Sequence, residues 1–244
     1  MSEKSQGMKN YNEIRERITA CIEKHIDAGV LFFSKAGIII EDGVEIGEGT
    51  TIYPGTILTG KTKIGSSCVI GPNSLLDDAT VGDGVTFNTS QGRSCVIDDG
   101  ANIGPFTNLR PDTHICHDVH IGDFVEIKNA TIGAGTSVSH LTYVGDSDVG
   151  EGCNFGCGVA VANYNGAGKN RCTVGDYAFI GCNTNLVAPV NIGAGAYTAA
   201  GSTITEDVPA DAMGIARARQ INKEGKGAEL LEAYKEKQKK KLGK

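Results

Sequence analysis

The feature of this sequence that most constrains its fold is an aliphatic residue that recurs at every sixth position. The first run is Ile40, Ile46, Ile52, Leu58, Ile64, Ile70 and Leu76, and similar runs follow over 97–127, 132–144, 149–161 and 174–204. A period of six fits neither the 3.6-residue period of a helix nor the alternation of an ordinary strand. It is typical of a parallel β-helix built from hexapeptides.

A triangular coil explains the other residues of the repeat. Each hexapeptide forms one flat face and one corner, and the aliphatic residues of three hexapeptides fill the interior of one coil. Glycine, which permits corner conformations that cost other residues energy, accounts for 34 of the 244 residues. Successive coils are expected to stack about 4.8 Å apart. Four positions after many aliphatic residues stands a small or β-branched one, as at Thr50, Cys68, Ser74, Thr107, Val125, Cys153, Ala178, Thr184 and Ala196.

The repeat is predicted to break at two places. The six-residue register is lost around 88–95, and thirteen positions separate Val161 from Val174 where five or six suffice. Residues 162–172, ANYNGAGKNRC, are therefore expected to leave the coil as a loop. Loops on a rigid scaffold often carry function.

Both flanks of the repeat are predicted to be helical. An i, i+4 stripe predicts an amphipathic helix over 12–27, and residues 228–242 predict a second helix with glutamates early and lysines late. The stripe consists of Ile14, Ile18, Ile22 and Ile26. The expected organisation is an N-terminal helix and lead-in over 1–38, a β-helix domain over 39–208 and a C-terminal arm with a basic helix over 209–244.

Charge and hydropathy argue against several classes of protein. The net charge is −6, but the residues from Gln220 onward carry +4, so the rest carries −10 and no nucleic-acid footprint is expected. The lysine-rich end is expected to be a solvated helix face, with binding to an anionic partner as the less favoured alternative. No run approaches the roughly 18–20 apolar residues of a membrane span, and the N-terminus is too polar for a secretory signal. A cytoplasmic location is expected, with the eight cysteines reduced.

The register aligns residues of successive coils into columns. Val138, Phe155, Ile180 and Thr198 share one edge, so the residues two positions later are expected to form an outward column of His140, Cys157, Cys182 and Ala200. This column predicts a shallow groove of small side chains with a histidine at one end.

A second column brings two cations together. Leu109 and Ile127 lie one coil apart, so Arg110 and Lys128 are expected to be neighbours about 5 Å apart. With no carboxylate beside them in sequence, these cations repel each other unless they share an anion such as a phosphate.

Other motifs have structural interpretations. His114, His117 and His120 are three apart, but they lie on different parts of a coil, so no metal site is predicted. GAGK at 166–169 lacks the first glycine and the Ser or Thr of a phosphate-binding P-loop. Four cysteines fall at the small inward position and are interpreted as core residues, namely Cys68, Cys95, Cys153 and Cys172.

Motifs more specific than the repeat carry a family resemblance. They are IGPFTNLRP (103–111), GDFVEIKNATIGAGTSVSHLTYVGD (122–146), ANYNGAGK (162–169), LVAPVNIGAGAYTAAGSTIT (186–205) and INKEG (221–225). From about 29 to 225 the chain resembles the C-terminal acetyltransferase domain of bifunctional bacterial enzymes. These enzymes join glucosamine-1-phosphate acetyltransferase to N-acetylglucosamine-1-phosphate uridyltransferase.

The resemblance implies a fold, an activity and an assembly. The fold is a left-handed parallel β-helix, all-β apart from an N-terminal helix and a C-terminal helical tail. The activity is that of a hexapeptide-repeat acyltransferase in UDP-N-acetylglucosamine biosynthesis, with acetyl-CoA as a substrate and no metal required for acetyl transfer. The assembly is a homotrimer whose active sites are shared between subunits.

The resemblance also assigns roles residue by residue. His140 matches the general base of the family. The positions that match sugar-phosphate contacts are Arg110, Lys128, Tyr143, Asn154 and Lys169. The positions that match acetyl-CoA contacts are Cys157, Asn163, Tyr164, Cys182, Ala200 and Arg217.

The chain also departs from the family pattern. Ala162 and Asn165 replace the outer residues of a loop that usually reads CNYDG, and Asp112 replaces the glycine after LRP. About 38 residues precede the repeat and hold no nucleotidyltransferase motif, so uridyl transfer is not expected, and a separate uridyltransferase partner stays open. Three alternatives also stay open. They are a hexapeptide acyltransferase for another amino sugar, sugar nucleotide or acyl donor, a carbonic-anhydrase-like zinc enzyme, and a non-catalytic scaffold.

Overall fold

A computed structural model describes residues 3–243 as a three-sided prism of stacked parallel strands with a helix at each end of the chain. Helix α1 spans Glu3–Asp27, and helix α2 spans Lys226–Lys241. Between them, strands β1 to β28 pair in two parallel sheets of 11 and 17 strands. The larger sheet covers two faces of the prism, because two long strands continue around the corner between them.

The first face is the sheet of 11 strands. Its strands are β1 Leu31–Phe32, β4 Thr51–Ile52, β7 Val69–Ile70, β10 Thr86–Phe87, β13 Asn102–Ile103, β16 His120–Asp123, β18 Ser137–His140, β20 Asn154–Phe155, β23 Phe179–Ile180, β26 Tyr197–Thr198 and β28 Met213–Gly214.

The second and third faces share strands β17 Glu126–Ile132 and β19 Tyr143–Val149. The second face also contains β2 Ile39–Ile40, β5 Ile57–Thr59, β8 Leu75–Asp77, β11 Gln91–Arg93, β14 Asn108–Leu109, β21 Ala160–Ala162, β24 Asn185–Val187 and β27 Thr203–Ile204. The third face also contains β3 Glu45–Ile46, β6 Lys63–Ile64, β9 Thr80–Val81, β12 Cys95–Ile97, β15 Thr113–Ile115, β22 Cys172–Val174 and β25 Val190–Ile192.

The predicted parallel β-helix with two flanking helices is confirmed. Val138, Phe155, Ile180 and Thr198 pair in the predicted order on the first face. The aliphatic residues of the repeat are buried, and so are all nine residues predicted at the small inward position. Cys68, Cys95, Cys153 and Cys172 lie in the same core, and the eight cysteines form no disulfide within residues 3–243.

The predicted break around 88–95 is wrong, because the coil continues through this segment. Strand β11 puts Gly92 at the interior position, paired with Leu76 in one neighbouring coil and Leu109 in the other. A Cβ added at Gly92 would lie 2.9 Å from Leu76 Cδ2 and 3.6 Å from Phe87 Cζ. Cys95 Sγ would lie 3.1 Å from the same Cβ. The side chains of Leu76 and Cys95 therefore leave no room for an aliphatic residue at 92, and the coil keeps its shape with glycine at the interior position.

The second predicted departure is confirmed. Strand β21 ends at Ala162 and β22 begins at Cys172, and the residues between them leave the coil. Tyr164 and Lys169 form an antiparallel bridge at the base of this excursion.

Helix α1 begins nine residues before the predicted start, because residues 3–11 are polar and carry no apolar period to detect. Its buried face also differs from the predicted stripe. Cys21, Ile22 and His25 are buried, whereas Ile14 and Ile26 are 55% and 39% exposed. Residues four apart drift by about 40° around a helix, so an i, i+4 series does not stay on one face. Helix α2 agrees with its prediction to within two residues.

Neither helix in the described part of the chain has the length and apolar character needed to cross a bilayer.

Candidate active site

Three cationic side chains meet where the second face turns into the third. Arg110 follows β14, Lys128 lies in β17, and the pairing of Leu109 with Ile127 makes them neighbours as predicted. Lys169 reaches the same place from the 162–172 loop, and its contact with Lys128 lowers the pKa of the Lys128 ammonium group. The charge of Arg110 adds to this effect. These three residues, here called the cationic cluster, form a concentrated positive site.

The two cations of the column, which have no carboxylate directly beside them in sequence, have one beside them in the structure. Glu126 Oε1 accepts a hydrogen bond from Arg110 Nη1 at 2.7 Å. Glu126 is two residues before Lys128 in β17, so both side chains lie on the same side of the strand. The carboxylate orients Arg110, whereas Lys128 has no ion pair within the described chain.

A buried carboxylate, that of Asp146, lies next to the cationic cluster. Asp146 is buried and accepts hydrogen bonds from Asn129 Nδ2 at 2.6 Å and from Asn163 Nδ2. Burial opposes ionisation most strongly, yet the two amides and the charges of Lys169 and Lys128 together lower the pKa of the Asp146 carboxyl. Asp146 therefore supplies a negative charge beneath cations that would otherwise repel each other.

Asn163 belongs to the 162–172 loop, but its side chain contacts the residues beside the cationic cluster. Its side chain is buried, and its amide also donates to Tyr143 Oη at 3.3 Å. Tyr143 lies at the start of β19, near the side chain of Arg110. The structure thus brings Asn163 together with residues matched to sugar-phosphate contacts, although the resemblance matches it to acetyl-CoA.

An ion pair that the sequence did not suggest anchors the loop. Arg171 pairs with Asp148 in β19, and this contact lowers the pKa of the Asp148 carboxyl. Arg171 also donates to the backbone oxygens of Asn129 and Ser147 at 3.1 and 3.2 Å. The loop that carries Lys169 is therefore fixed to the coils that carry Lys128.

His140 stands at the end of β18 and is paired with a carboxylate. Strands β16 and β18 put Asp123 directly beside it, and His140 Nδ1 lies 3.0 Å from Asp123 Oδ1. The hydrogen bond with His140 is the main reason that the pKa of Asp123 lies below its usual value. A carboxylate at Nδ1 favours the tautomer that carries its proton there, which leaves the lone pair on Nε2. The His140 side chain is 58% exposed, so Nε2 is accessible.

The column beyond His140 forms as predicted. The backbone nitrogens that follow Cys157, Cys182 and Ala200 bond to the oxygens of the residues one coil below. Cys157 is half-buried, whereas Cys182 and Ala200 are exposed. Arg217 lies at the far end, since a Cβ added at Gly201 would lie 3.9 Å from its Cδ. Asn154 is exposed in β20 on the same face, and Tyr164 is exposed on the loop.

His140 and the cationic cluster lie at opposite ends of the second face. Within residues 3–243, no hydrogen bond or ion pair joins them. The corner between His140 and Tyr143 carries a ridge of exposed apolar side chains. This corner ridge consists of Phe106, Phe124 and Leu141, which are 55%, 57% and 58% exposed. The two phenylalanine rings stack with their centroids 5.2 Å apart.

The three histidines of the 114–120 segment do not converge on one point. His114 Nε2 lies 2.9 Å from Asp98 Oδ2, and His117 Nδ1 lies 3.1 Å from Asp118 Oδ2. His120 lies near Asp123 on a different face.

Known proteins resemble this chain over most of its length. It is 50% identical over 211 residues to the bifunctional protein GlmU of Geobacillus sp. (strain WCH70), a match that covers 86% of the chain and 45% of that protein. It is 49% identical over 199 residues to the bifunctional protein GlmU of Clostridium kluyveri (strain NBRC 12016), covering 82% of the chain and 44% of that protein. The chain spans less than half the length of the curated relatives it matches.

Among solved structures, UDP-N-acetylglucosamine O-acyltransferase (LpxA) from Moraxella catarrhalis RH4 is 16% identical with a TM-score of 0.43, over 79% of this chain and 77% of that one. A likeness at this level bears on neither activity nor substrate. No family model matches the chain. The long match to the curated relatives is decisive for the part concerned: over most of its length, the chain is similar to the C-terminal part of the bifunctional GlmU proteins.

Proposed function

We propose that this chain transfers the acetyl group of acetyl-CoA to the amine of glucosamine 1-phosphate, giving N-acetylglucosamine 1-phosphate and CoA. The observation that carries the proposal is the cationic cluster. Arg110, Lys128 and Lys169 come from separate segments and crowd together strongly enough to depress the pKa of Lys128. A phosphate group relieves this repulsion and accepts charge-assisted hydrogen bonds from all three.

The sugar amine then requires a base. Nε2 of His140 accepts a proton from the amine as the amine nitrogen attacks the thioester carbonyl carbon. The tetrahedral intermediate collapses, its carbon–sulfur bond breaks, and the sulfur of CoA leaves with the proton that His140 returns. Asp123 keeps the imidazole in the tautomer and orientation that this step needs. Every atom and proton is accounted for by the two substrates and His140, so acetyl transfer needs no metal.

The column of small side chains suits the pantetheine arm of acetyl-CoA. Cys157, Cys182 and Ala200 leave a groove that runs along the prism axis from His140. Arg217 at its far end provides a cation for the phosphates of the nucleotide, and Tyr164 on the loop offers an exposed ring. Asn154 and Tyr143 supply hydrogen-bonding groups for the sugar, and Asn163 holds Tyr143 in place through its amide. A backbone N–H of the same column stabilises the developing oxyanion.

A homotrimer brings His140 of one subunit close to the cationic cluster of another subunit. Phe106, Phe124 and Leu141 hold positive φ angles of 59°, 57° and 47°. Such a conformation costs a bulky residue about 1–3 kcal/mol, and exposing the side chain in water gains nothing in return. Contact between copies of the chain at this corner ridge buries the apolar groups and joins the His140 face of one subunit to the cationic cluster of another.

A panel of acceptors tests the proposed activity. The chain is incubated with acetyl-CoA and glucosamine 1-phosphate, glucosamine 6-phosphate, glucosamine or UDP-glucosamine, and the acetylated product is measured by mass spectrometry. Thiol reagents are unsuitable because the eight cysteines contribute background. We expect glucosamine 1-phosphate to react with a kcat/KM at least tenfold above that of any other acceptor. Preference for another acceptor contradicts the assignment, and no turnover with any acceptor favours a scaffold.

Mass measurement by light scattering tests the assembly. We expect three times the 25.5 kDa chain mass for the wild type. Phe124→Ser on the corner ridge should weaken the trimer and lower acetyl transfer together. Full activity in a monomer would contradict the shared site.

A further inference from the structure

We propose that Asp98, His114 and Cys116 form a zinc site on the third face, separate from the acetyl-transfer groups. The carboxylate, imidazole and thiol atoms of these residues all lie within 4.8 Å of one another. They are typical Zn²⁺ ligands, and three protein ligands leave a fourth position for water or an exogenous ligand. This inference does not depend on the proposed acetyl transfer.

The register of the β-helix creates the convergence. Strands β12 and β15 pair Val96 with His114 and Ile97 with Ile115, which stacks Asp98 beside Cys116 in the next coil. Cys116 directly follows β15 and is two residues after His114, so the two side chains leave the same side of the chain. All three side chains therefore point outward from one patch of rigid backbone.

The distances between the three ligand atoms are close to the distances between ligand atoms around a bound Zn²⁺ ion. Tetrahedral Zn²⁺ with its usual bond lengths separates ligand atoms by about 3.4 Å, so small side-chain rotations suffice to close the set. His114 Nε2 and Asp98 Oδ2 are already 2.9 Å apart. Their side chains are 43% and 40% exposed, which leaves the site open to an ion from solvent.

The thiol distinguishes this site from an ordinary ion pair. Cys116 is half-buried, and its sulfur lies within 4.8 Å of the ligand atoms of Asp98 and His114. A protonated thiol contributes little to an Asp–His pair. A divalent cation reverses this situation, because it neutralises Asp98 and binds the deprotonated sulfur. Zinc binding should therefore release a proton and strengthen as pH rises.

The site was not predicted from the sequence, because the three histidines of the 114–120 segment were considered as metal ligands only in combination with one another. Only His114 takes part, and its two partners lie elsewhere: Asp98 is in the neighbouring coil, and Cys116 is two residues after His114, just past the end of β15.

Zinc and cobalt titrations of the full chain, first stripped with a chelator, test the proposal. Isothermal titration should give one Zn²⁺ per chain for the wild type. Co²⁺ should give an intense thiolate-to-cobalt charge-transfer band in the near ultraviolet. His114→Ala and Cys116→Ser should each weaken zinc binding at least tenfold, and Cys116→Ser should remove the cobalt band.

His117→Ala is the matched control. It removes a histidine whose Asp118 contact is 3.1 Å, close to the 2.9 Å of the His114 pair, but which is not part of the three-ligand group. We expect it to bind zinc like the wild type. The proposal is overturned if the wild type binds no zinc at micromolar concentration, if its cobalt complex lacks the charge-transfer band, or if His117→Ala weakens zinc binding as much as Cys116→Ser. The wild-type cobalt spectrum decides the matter even where a variant folds poorly.

Discussion

Three histidine–carboxylate pairs on this β-helix have almost the same contact distance but different surroundings. The pairs of His140 with Asp123, His114 with Asp98 and His117 with Asp118 have contacts of 3.0, 2.9 and 3.1 Å. His140 ends a column of small side chains, His114 has a thiol beside it, and His117 lies at an exposed corner. The local pair therefore does not define a function. What differs among the three pairs is the set of residues that stand beside each one.

The largest expected effect comes from removing two cations of the cluster. Arg110→Ala with Lys128→Ala should lower kcat/KM for glucosamine 1-phosphate by about 10²–10⁴-fold, since each charge-assisted contact contributes about 1.5–3 kcal/mol. Unphosphorylated glucosamine, which offers the cluster no phosphate to bind, should lose far less. Steady-state kinetics with both acceptors checks this. An equal loss for both acceptors would show that the cluster does not bind the phosphate.

The His140–Asp123 pair predicts a smaller, catalytic effect. Asp123→Asn should lower kcat about tenfold, or about 1.4 kcal/mol, with little change in KM, because the imidazole loses its orienting charge. Asp118→Asn makes the same substitution in the solvent-exposed pair and should leave kcat unchanged. If both variants behave alike, Asp123 has no special role. A larger effect on KM than on kcat would indicate that Asp123 binds substrate instead.

Acid should lower the free energy of unfolding by protonating Asp146, the buried carboxylate beside the cationic cluster. The pKa of Asp146 is lower in the folded chain than in the unfolded one, so its stabilising contribution is present above the unfolded pKa of about 3.9. That contribution is lost as pH falls through the folded pKa. Urea unfolding between pH 7 and pH 3 should show a smaller loss for Asp146→Asn than for the wild type. Asp112→Asn, at an exposed corner, should follow the wild type.

The smallest effect is expected from replacing the thiols of the column that follows His140. Cys157→Ala with Cys182→Ala should change KM for acetyl-CoA by no more than about twofold, since the groove requires small side chains rather than thiols. Cys182→Phe should raise that KM at least tenfold by filling the groove. If the alanine variant loses activity to the same extent, the thiols themselves take part.

The sequence predicts much of this arrangement, because a six-residue period converts position in the chain into position on a face. The neighbours Arg110 and Lys128 and the column from His140 to Ala200 follow from counting alone. Contacts that depend on side-chain direction do not. Glu126 orients Arg110, and Asp98 reaches His114, through contacts between coils that the one-dimensional pattern does not display.

Interior volume is a second reason for the errors of prediction. Gly92 breaks the six-residue sequence pattern but not the coil, because the side chains of Leu76 and Cys95 already occupy the space beside it. Asp146 is hidden for a related reason. It stands at a corner with a φ of 49°, where an aspartate normally faces solvent, yet it is buried beneath the loop residue Asn163.

The rate of acetylation of glucosamine 1-phosphate by the His140→Ala and His117→Ala variants tests the central claim most directly. Both variants lose a histidine that contacts a carboxylate, but only one of these histidines stands beside the groove and near the corner ridge. We predict that His140→Ala lowers kcat by about 10²–10⁴-fold, as expected for loss of a general base, while His117→Ala stays within about twofold of the wild type. Wild-type turnover by His140→Ala, or an equal loss in both variants, would contradict the account.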